Sequence, residues 1–319
     1  MKQNLHSVWK CLFLALLGFS YLPSYSQYTG EKASFWEAGI TLGPMNFLGD
    51  LGGNAGIGRG FLKDNNFPTT KLSVGAFATY QPNEWLGVRL ALNYGTLEGD
   101  DAIIKGKGGL EEARKIRNSN FKSKLLEGFV ALEVYPTVFL EYDQSEIWGK
   151  LRPYGLIGLG VFKFNPKGFD PVSQRWVELK PLNTEGQGFA EYADRPEYKL
   201  TQLNVPMGVG VKYFLSDNVN LSLEVVHRTT FTDYIDDVST NYIDPSLFYN
   251  YMSLPRAQLA ERMANKSLPY SASAEGFVAG DKRGTPEKND AYYTVGFKLG
   301  FRLGSGDGYR NSTRCPVVF

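Results

Sequence analysis

The 319 residues hold 34 basic and 33 acidic side chains, a formal net charge of +1, so no whole-molecule field draws the chain to nucleic acid or to an anionic surface. A mean hydropathy of -0.27, with no long apolar run after the N-terminus, excludes a bundle of membrane-crossing helices. Apolar residues at 43% suffice for a core or a lipid-facing wall. Aromatic residues at 14% beside 35 glycines favour a β-barrel over the competing soluble β-sandwich.

Residues 1–26 read as a signal peptide. Lys2 and Lys10 give a positive start, Cys11 to Phe19 an apolar core, and Pro23 a break. Ser24 and Ser26 stand three and one before a cut ahead of Gln27. Cys11 lies at the start of the apolar core rather than after a cleavage box, which makes it a poor lipid anchor, and it leaves with the peptide. Residues 27–303 are expected to form the barrel and residues 304–319 a periplasmic tail.

Runs with a period of two follow in chain order. Phe35 to Gly43 is a weak first candidate. Leu72, Val74, Ala76, Ala78 and Tyr80 then alternate with Lys71, Ser73, Gly75 and Thr79 before a turn at Pro82-Asn83-Glu84. Leu86, Val88, Leu90, Leu92 and Tyr94 alternate with Arg89 and Asn93. Phe121 to Tyr135 and Leu151 to Phe164 are further candidates, and both registers of the latter contain apolar residues, so its lipid face stays open. Leu203 to Tyr213, the turn Ser216-Asp217-Asn218 and the run from Val219 to Val225 make a hairpin. Tyr293, Val295, Phe297, Leu299 and Phe301 oppose Thr294, Gly296, Lys298 and Arg302 in the last run.

These elements predict an all-β fold: a transmembrane antiparallel up-and-down β-barrel of about eight strands, with a lumen filled by side chains. An even count puts both termini on one side, taken as the periplasm. The connections Pro82 to Glu84, Asp143 to Glu146 and Ser216 to Asn218 are then periplasmic turns. Those at Pro44 to Pro68, Glu98 to Asn118, Asn165 to Tyr198 and Thr232 to Asp290 become long extracellular loops. Trp36, Trp85, Trp148 and Tyr213 fall at the periplasmic rim, and Tyr94, Phe231 and Tyr293 toward the outer one. Arg89, Glu127, Glu133, Lys212, Glu224, Arg228, Lys298 and Arg302 point inward. Charges of both signs in so narrow a lumen pair rather than conduct.

The chemical inventory is thin. His6 is lost with the signal peptide, and His227 continues an apolar face near the outer rim, so neither a zinc site nor a nucleophilic triad has support. No catalytic residue, cofactor-binding residue or metal ligand is assigned. The glycine cluster from Gly52 to Gly60 lacks the Lys-Ser/Thr pair of a phosphate loop and reads as a surface loop. Asp233, Asp236, Asp237 and Asp244 form an acidic stretch whose spacing is not that of an EF-hand; a solvated loop outweighs calcium binding. Ser253 to Lys266 has near-helical apolar spacing after Pro255 and is expected to make a short helix, capping the barrel mouth, meeting a partner or packing on its own loop. The tail runs through Gly304-Ser305-Gly306 into Arg310, Arg314, Cys315 and Phe319, a candidate partner-binding segment. Cys315 is the one thiol expected in the mature chain, either free or in an intermolecular disulfide.

Four loop motifs, "NFLGDLGG" from Asn46, "FNPKGFDP" from Phe164, "WVELKPLNTEGQG" from Trp176 and "RTTFTDYIDDVSTNYID" from Arg228, occur together and in order. With them the chain resembles the PorG-like outer-membrane barrel family of the type IX secretion system, over nearly its whole mature length. The resemblance implies a non-enzymatic barrel in the cell outer membrane that anchors or organises a periplasmic ring, made of a PorK-like lipoprotein and its PorN-like partner. Outer-membrane lipid is the other expected partner, and nucleic acid is not one. A different class of reading is an autonomous adhesin or surface-recognition barrel acting through its outer loops. A lipid-acting enzyme, dependent on His227, is a third and weaker one.

Overall fold

The period-two runs form strands of 12 to 15 residues, longer than the roughly 9–11 that cross a bilayer at a tilt. The computed structural model describes residues 34–51, 67–105, 111–139, 150–267 and 276–303. The strands are β1 (Phe35–Leu48), β2 (Lys71–Asn83), β3 (Leu86–Asp100), β4 (Asn120–Val134), β5 (Leu151–Lys163), β6 (Pro166–Asp170), β7 (Arg175–Glu178), β8 (Thr201–Phe214), β9 (Val219–Thr230) and β10 (Ala291–Leu303). Among the described residues three α-helices lie in the connections: α1 (Glu111–Arg117), α2 (Ser246–Tyr251) and α3 (Leu254–Ala264).

Every neighbouring pair is antiparallel. The order β3-β2-β1-β10-β9-β8-β5-β4 closes through β3 on β4, from Leu86↔Val134 to Asp100↔Asn120, into an eight-stranded barrel. The short β6–β7 hairpin stands outside the ring and joins the end of β4 through Lys122↔Lys167 and Ser123↔Pro166. Pairing of Trp36 with Leu303 sets the first and last barrel strands side by side. Both barrel ends therefore lie at the end carrying the short turns, while the long connections gather at the other.

The alternation is read out directly as exposure. Ile40, Leu90, Leu92, Leu159, Val209 and Phe297 point outward, whereas the residues between them are buried or half-buried. The open register of β5 is decided by this: Ile157, Leu159 and Val161 face out, and Tyr154, Leu156 and Phe162 fill the interior. Such a face would be untenable in water, and it is what a hydrocarbon solvent requires. At the turn-bearing end Trp36 packs on Tyr80 at 5.1 Å and Trp85 on Phe139 at 6.3 Å, with Tyr213 nearby in the sequence pattern, as an aromatic girdle demands.

Four details depart from the sequence reading. β2 runs on through Pro82 and Asn83, so the turn shifts to Glu84–Trp85, held by the Asn83 carboxamide oxygen accepting from the Leu86 amide at 2.9 Å. Tyr293 is buried at the loop-bearing rim instead of facing lipid. Arg302 is only half-buried, its guanidinium 3.8 Å from the centre of the Phe35 ring at the mouth of the lumen. The connection from Asn165 to Tyr198 is not structureless, since it contains β6, β7 and two short 3-10 turns. The signal peptide, the glycine cluster Gly52 to Gly60, Trp148, the turn Asp143 to Glu146 and the tail residues Arg310, Arg314, Cys315 and Phe319 lie outside the described residues.

The outward wall predicts a large penalty for charge. Ile157→Arg, near the middle of β5, should destabilise the vesicle-embedded barrel by about 2–4 kcal/mol in urea unfolding. A change of no more than about 0.5 kcal/mol, as at an ordinary water-exposed position, would show that this face does not meet lipid.

Candidate functional site

Eight charged side chains project into the barrel from strand positions that alternate with the lipid face, and all are buried. Four are cations (Arg89, Lys212, Arg228, Lys298) and four are anions (Glu37, Glu127, Glu133, Glu224). The signs balance because isolated charge is costly in a narrow, low-dielectric interior. Arg89 lies between Glu133 and Glu224, 2.6 Å from the latter, and Lys298 sits 3.4 Å from Glu224 and 3.9 Å from Glu133. The Tyr154 hydroxyl donates to Glu224 at 2.7 Å, and the Tyr135 hydroxyl to Glu133.

Nearer the loop-bearing end, Glu127 accepts from Asn93 (2.8 Å), Asn204 (2.6 Å), Tyr292 (3.0 Å) and Arg228 (3.2 Å). Toward the turns, Lys212 pairs with Glu37 at 2.8 Å. The sequence reading missed Glu37, although its register opposite the outward-facing Trp36 and Ala38 would have placed it inside. A cavity of about 10 Å³ lined by Thr41, Ser73, Phe77, Asn93, Arg228 and Thr294 leaves room for one water at most. Among the described residues the lumen is a salt-bridged core.

Above it, Met45, Phe47, Leu97, Phe121, Phe162, Phe164, Ile235 and Tyr292 form an apolar plug. The loops over this plug are tied by buried carboxylates. Glu185 accepts from the amides of Ser239 and Thr240, both at 2.9 Å, and from Arg283 at 2.7 Å. Asp237, in the left-handed region at φ 66°, accepts from Thr184 (2.6 Å) and Tyr198 (2.7 Å). Arg117 bonds Asp101 (2.7 Å) and the carbonyls of Arg283 (2.7 Å) and Asp50 (2.6 Å). Three further aspartates accept from loop amides: Asp50 and Asp236 cross between loops, to Thr285 (2.6 Å) and Leu51 (2.9 Å), and Asp290 closes its own loop on Ile235 (2.8 Å). The expected helix is present as α3, and its Ala257, Ala260 and Met263 pack with Leu179, Leu182 and Phe189 of the preceding long loop. It therefore clamps two loops together instead of lying on its own alone.

Two aspartates of the acidic stretch take part in this stitching. Asp236 and Asp237 hold backbone and hydroxyl donors, and Asp244 lies exposed, accepting from the Ser246 amide at 2.9 Å. Among the described residues no three His, Cys, Asp or Glu side chains are grouped for a metal ion. His227 lies on the outward face of β9, in register with Tyr293 and Met207. The sequence separates Glu185 from Arg283 by almost a hundred residues, and no local pattern signals that pair.

The closed ring, lipid-facing wall and filled lumen define an outer-membrane β-barrel protein. The chain belongs to the outer membrane protein beta-barrel domain family, whose model matches residues 11–250. No curated protein matches it. Among solved structures it is similar to Ail, the attachment invasion locus protein of Yersinia pestis, at 8% identity and a TM-score of 0.34, over 85% of this chain and 97% of that one. A major outer membrane protein from Thermus thermophilus gives 13% and 0.37, over 85% and 100% of the two chains. OprG from Pseudomonas aeruginosa gives 12% and 0.36, over 86% and 99%. At such values these likenesses bear on no functional claim.

Two outcomes are expected. Arg89→Met strands Glu133 and Glu224 in the lumen and should cost about 3–5 kcal/mol in urea unfolding from vesicles; an effect below about 1 kcal/mol would mean the lumen is wetter than its geometry. In the loops, burial pushes the Asp233 carboxyl from 3.8 up to about 8, partly offset by Ser239. The folded state thus keeps this proton longer, so the stability it contributes is full below about pH 4 and is lost as pH rises toward 8. Amide exchange of residues 232–239 and 285–290, corrected for intrinsic rate, should accelerate across that window, and Asp233→Asn should flatten the rise. An identical rise in the variant would remove Asp233 as its cause.

Proposed function

We propose that this barrel is a non-enzymatic, structural component of the type IX secretion machinery, with both termini periplasmic. It anchors the periplasmic ring of a PorK-like lipoprotein and its PorN-like partner beneath the outer membrane. The observation that supports this reading most is that the four motifs carrying the family resemblance meet in one folded unit. The Leu51 amide of the first donates to Asp236 of the fourth, and Thr184 and Glu185 of the third bond Asp237, Ser239 and Thr240 of the fourth. Phe164 of the second packs in the same plug as Leu51 and Ile235. Motifs so interlocked are the marks of a shared tertiary structure, which scattered chance matches would not produce. The filled lumen supports a scaffold in preference to a conduit, since cargo has no path through it.

The contact surface in this reading is the turn-bearing end with the tail: Arg310, Arg314, Cys315 and Phe319, with Cys315 as the candidate intermolecular disulfide. A second reading, the adhesin-type barrel, draws on the β6–β7 hairpin, which carries Val172 at 70% and Trp176 at 43% exposure away from the ring. Affinity purification of the tagged barrel separates the two. The ring lipoprotein and its partner should co-purify with the full chain and fall to background when residues 304–319 are deleted. On non-reducing gels Cys315→Ser should abolish a crosslinked band. Absence of ring components from the full-length material overturns the anchor, and their persistence after deletion moves the contact to the turns.

A further inference from the structure

A band of lysines crosses one side of the barrel just beyond the lipid-facing wall, at the loop-bearing end. Lys122 and Lys124 are successive outward residues of β4, and the next outward residues are Leu126, Gly128 and Val130. Lys163 ends β5 on the same face, paired with Leu126 of β4 and Thr201 of β8, directly above Val161, Leu159 and Ile157. Lys167 of β6 lies opposite Lys122, and Lys199 is exposed just before β8.

The register fixes their spacing without reference to rotamers. Lys122 and Lys124 are two residues apart on one strand, about 6.6 Å. Lys163 and Lys124 are diagonal neighbours and Lys122 and Lys167 direct ones, about 7–8 Å and about 5 Å apart at Cβ.

Like charges directly opposite in an antiparallel pair destabilise it. Lys167 is relieved by Glu178 at 3.2 Å, while Glu98 of β3, directly opposite Lys122, is taken by Lys71 at 3.1 Å. Among the described residues Lys122, Lys124, Lys163 and Lys199 make no ion pair, and all four are exposed. A merely solvating belt would surround the ring. Here the outward positions at the same end of β9, β10 and β1 are Thr229, Phe231, Ala291 and Leu48, none charged.

We propose that β4, β5, β6 and the start of β8 form a binding site for a phosphorylated acyl-glucosamine lipid of the outer leaflet. Its phosphates lie on Lys122, Lys124 and Lys163, with Lys167 and Lys199 flanking. Its acyl chains run down the wall of Leu126, Val130, Ile157, Leu159, Val161 and Leu203, each of which is 48% exposed or more. Charge complementarity at the top and apolar surface below fit one amphiphile, which neither a soluble polyanion nor an uncharged lipid matches as well. The site rests on the reading that the loop-bearing end faces outward, and it is independent of the anchoring role.

Native mass spectrometry of the full-length protein in detergent micelles tests it, with a bisphosphorylated acylated glucosamine disaccharide and its dephosphorylated form as the two probes. The phosphorylated lipid should be retained in preference. Lys122→Gln, Lys124→Gln and Lys163→Gln combined should weaken its retention by roughly one to two orders of magnitude, while Lys105→Gln with Lys288→Gln, two exposed loop lysines outside the strands, leaves it unchanged. Folding of each variant is followed by heat-dependent gel mobility, and the comparison of the two lipids on the unsubstituted protein needs no variant. Equal retention of both lipids, or full retention by the triple variant, overturns the proposal, as does an equal loss in the control. Orientation is read separately, by labelling Val172→Cys on intact cells with a membrane-impermeant maleimide, so that failure of the site and failure of the topology are distinguishable.

Discussion

The pairing of β3 with β4 is the constraint on which the rest depends. In hydrocarbon an unpaired backbone amide has no water to turn to, so a sheet survives there only when its two edges find each other. Closing at eight strands fixes the lumen at a width that side chains must fill. It also sets Trp36 beside Leu303, bringing the two barrel ends to one rim. The four-to-four balance of buried charge follows from the same geometry. An interior too narrow for bulk water tolerates Arg89 and Lys298 only while Glu133 and Glu224 are within reach.

The loop-bearing end solves a related problem by other means. Long connections carry many backbone amides that strands no longer satisfy, and buried carboxylates take them over. Asp50, Asp236 and Asp290 each accept from an amide in a different part of the loops, and Glu185 accepts from two in succession. The apolar plug beneath, with the stacked rings of Phe164, Tyr198 and Tyr234, joins this cap to the barrel. Burial of so much carboxyl makes the cap the part of the molecule most open to change with pH, whereas in the lumen each charge stands beside its opposite.

Legibility in the sequence tracks how local each determinant is. Period-two alternation from Leu203 to Tyr213 or Leu86 to Tyr94 is a property of adjacent residues and is visible at once. β5 was ambiguous because Tyr154, Leu156 and Phe162 are large and apolar although they point inward. The lumen near the plug is lined by rings, and hydrophobicity alone cannot tell that face from lipid. The turn after β2 slipped by a residue because a register irregularity between Tyr80 and Asn83 lets the strand run through Pro82. Tyr293 fits the girdle pattern, yet it is covered at the loop-bearing rim, which strand periodicity does not encode. The pairs Glu185–Arg283 and Arg117–Asp101 are products of folding that no local pattern signals.

A barrel whose interior is full can act only through its outside, which divides into two ends and a wall. The loop-bearing end is cross-braced by buried ions, so whatever it meets meets a preformed shape, with little ordering entropy left to spend on contact. The turn-bearing end is the opposite: two of its connections, residues 84–85 and 215–218, are short, and its surface is small there unless the chain beyond Leu303 adds to it. That asymmetry is why the tail, rather than the turns, carries the anchoring argument. The wall is commonly treated as featureless solvent contact. Here it is chemically uneven, basic above β4 and β5 and uncharged above β9 and β10, so the barrel has a preferred side as well as a preferred end. In the proposed anchoring role both kinds of polarity would serve, because an end alone fixes depth while a side fixes rotation.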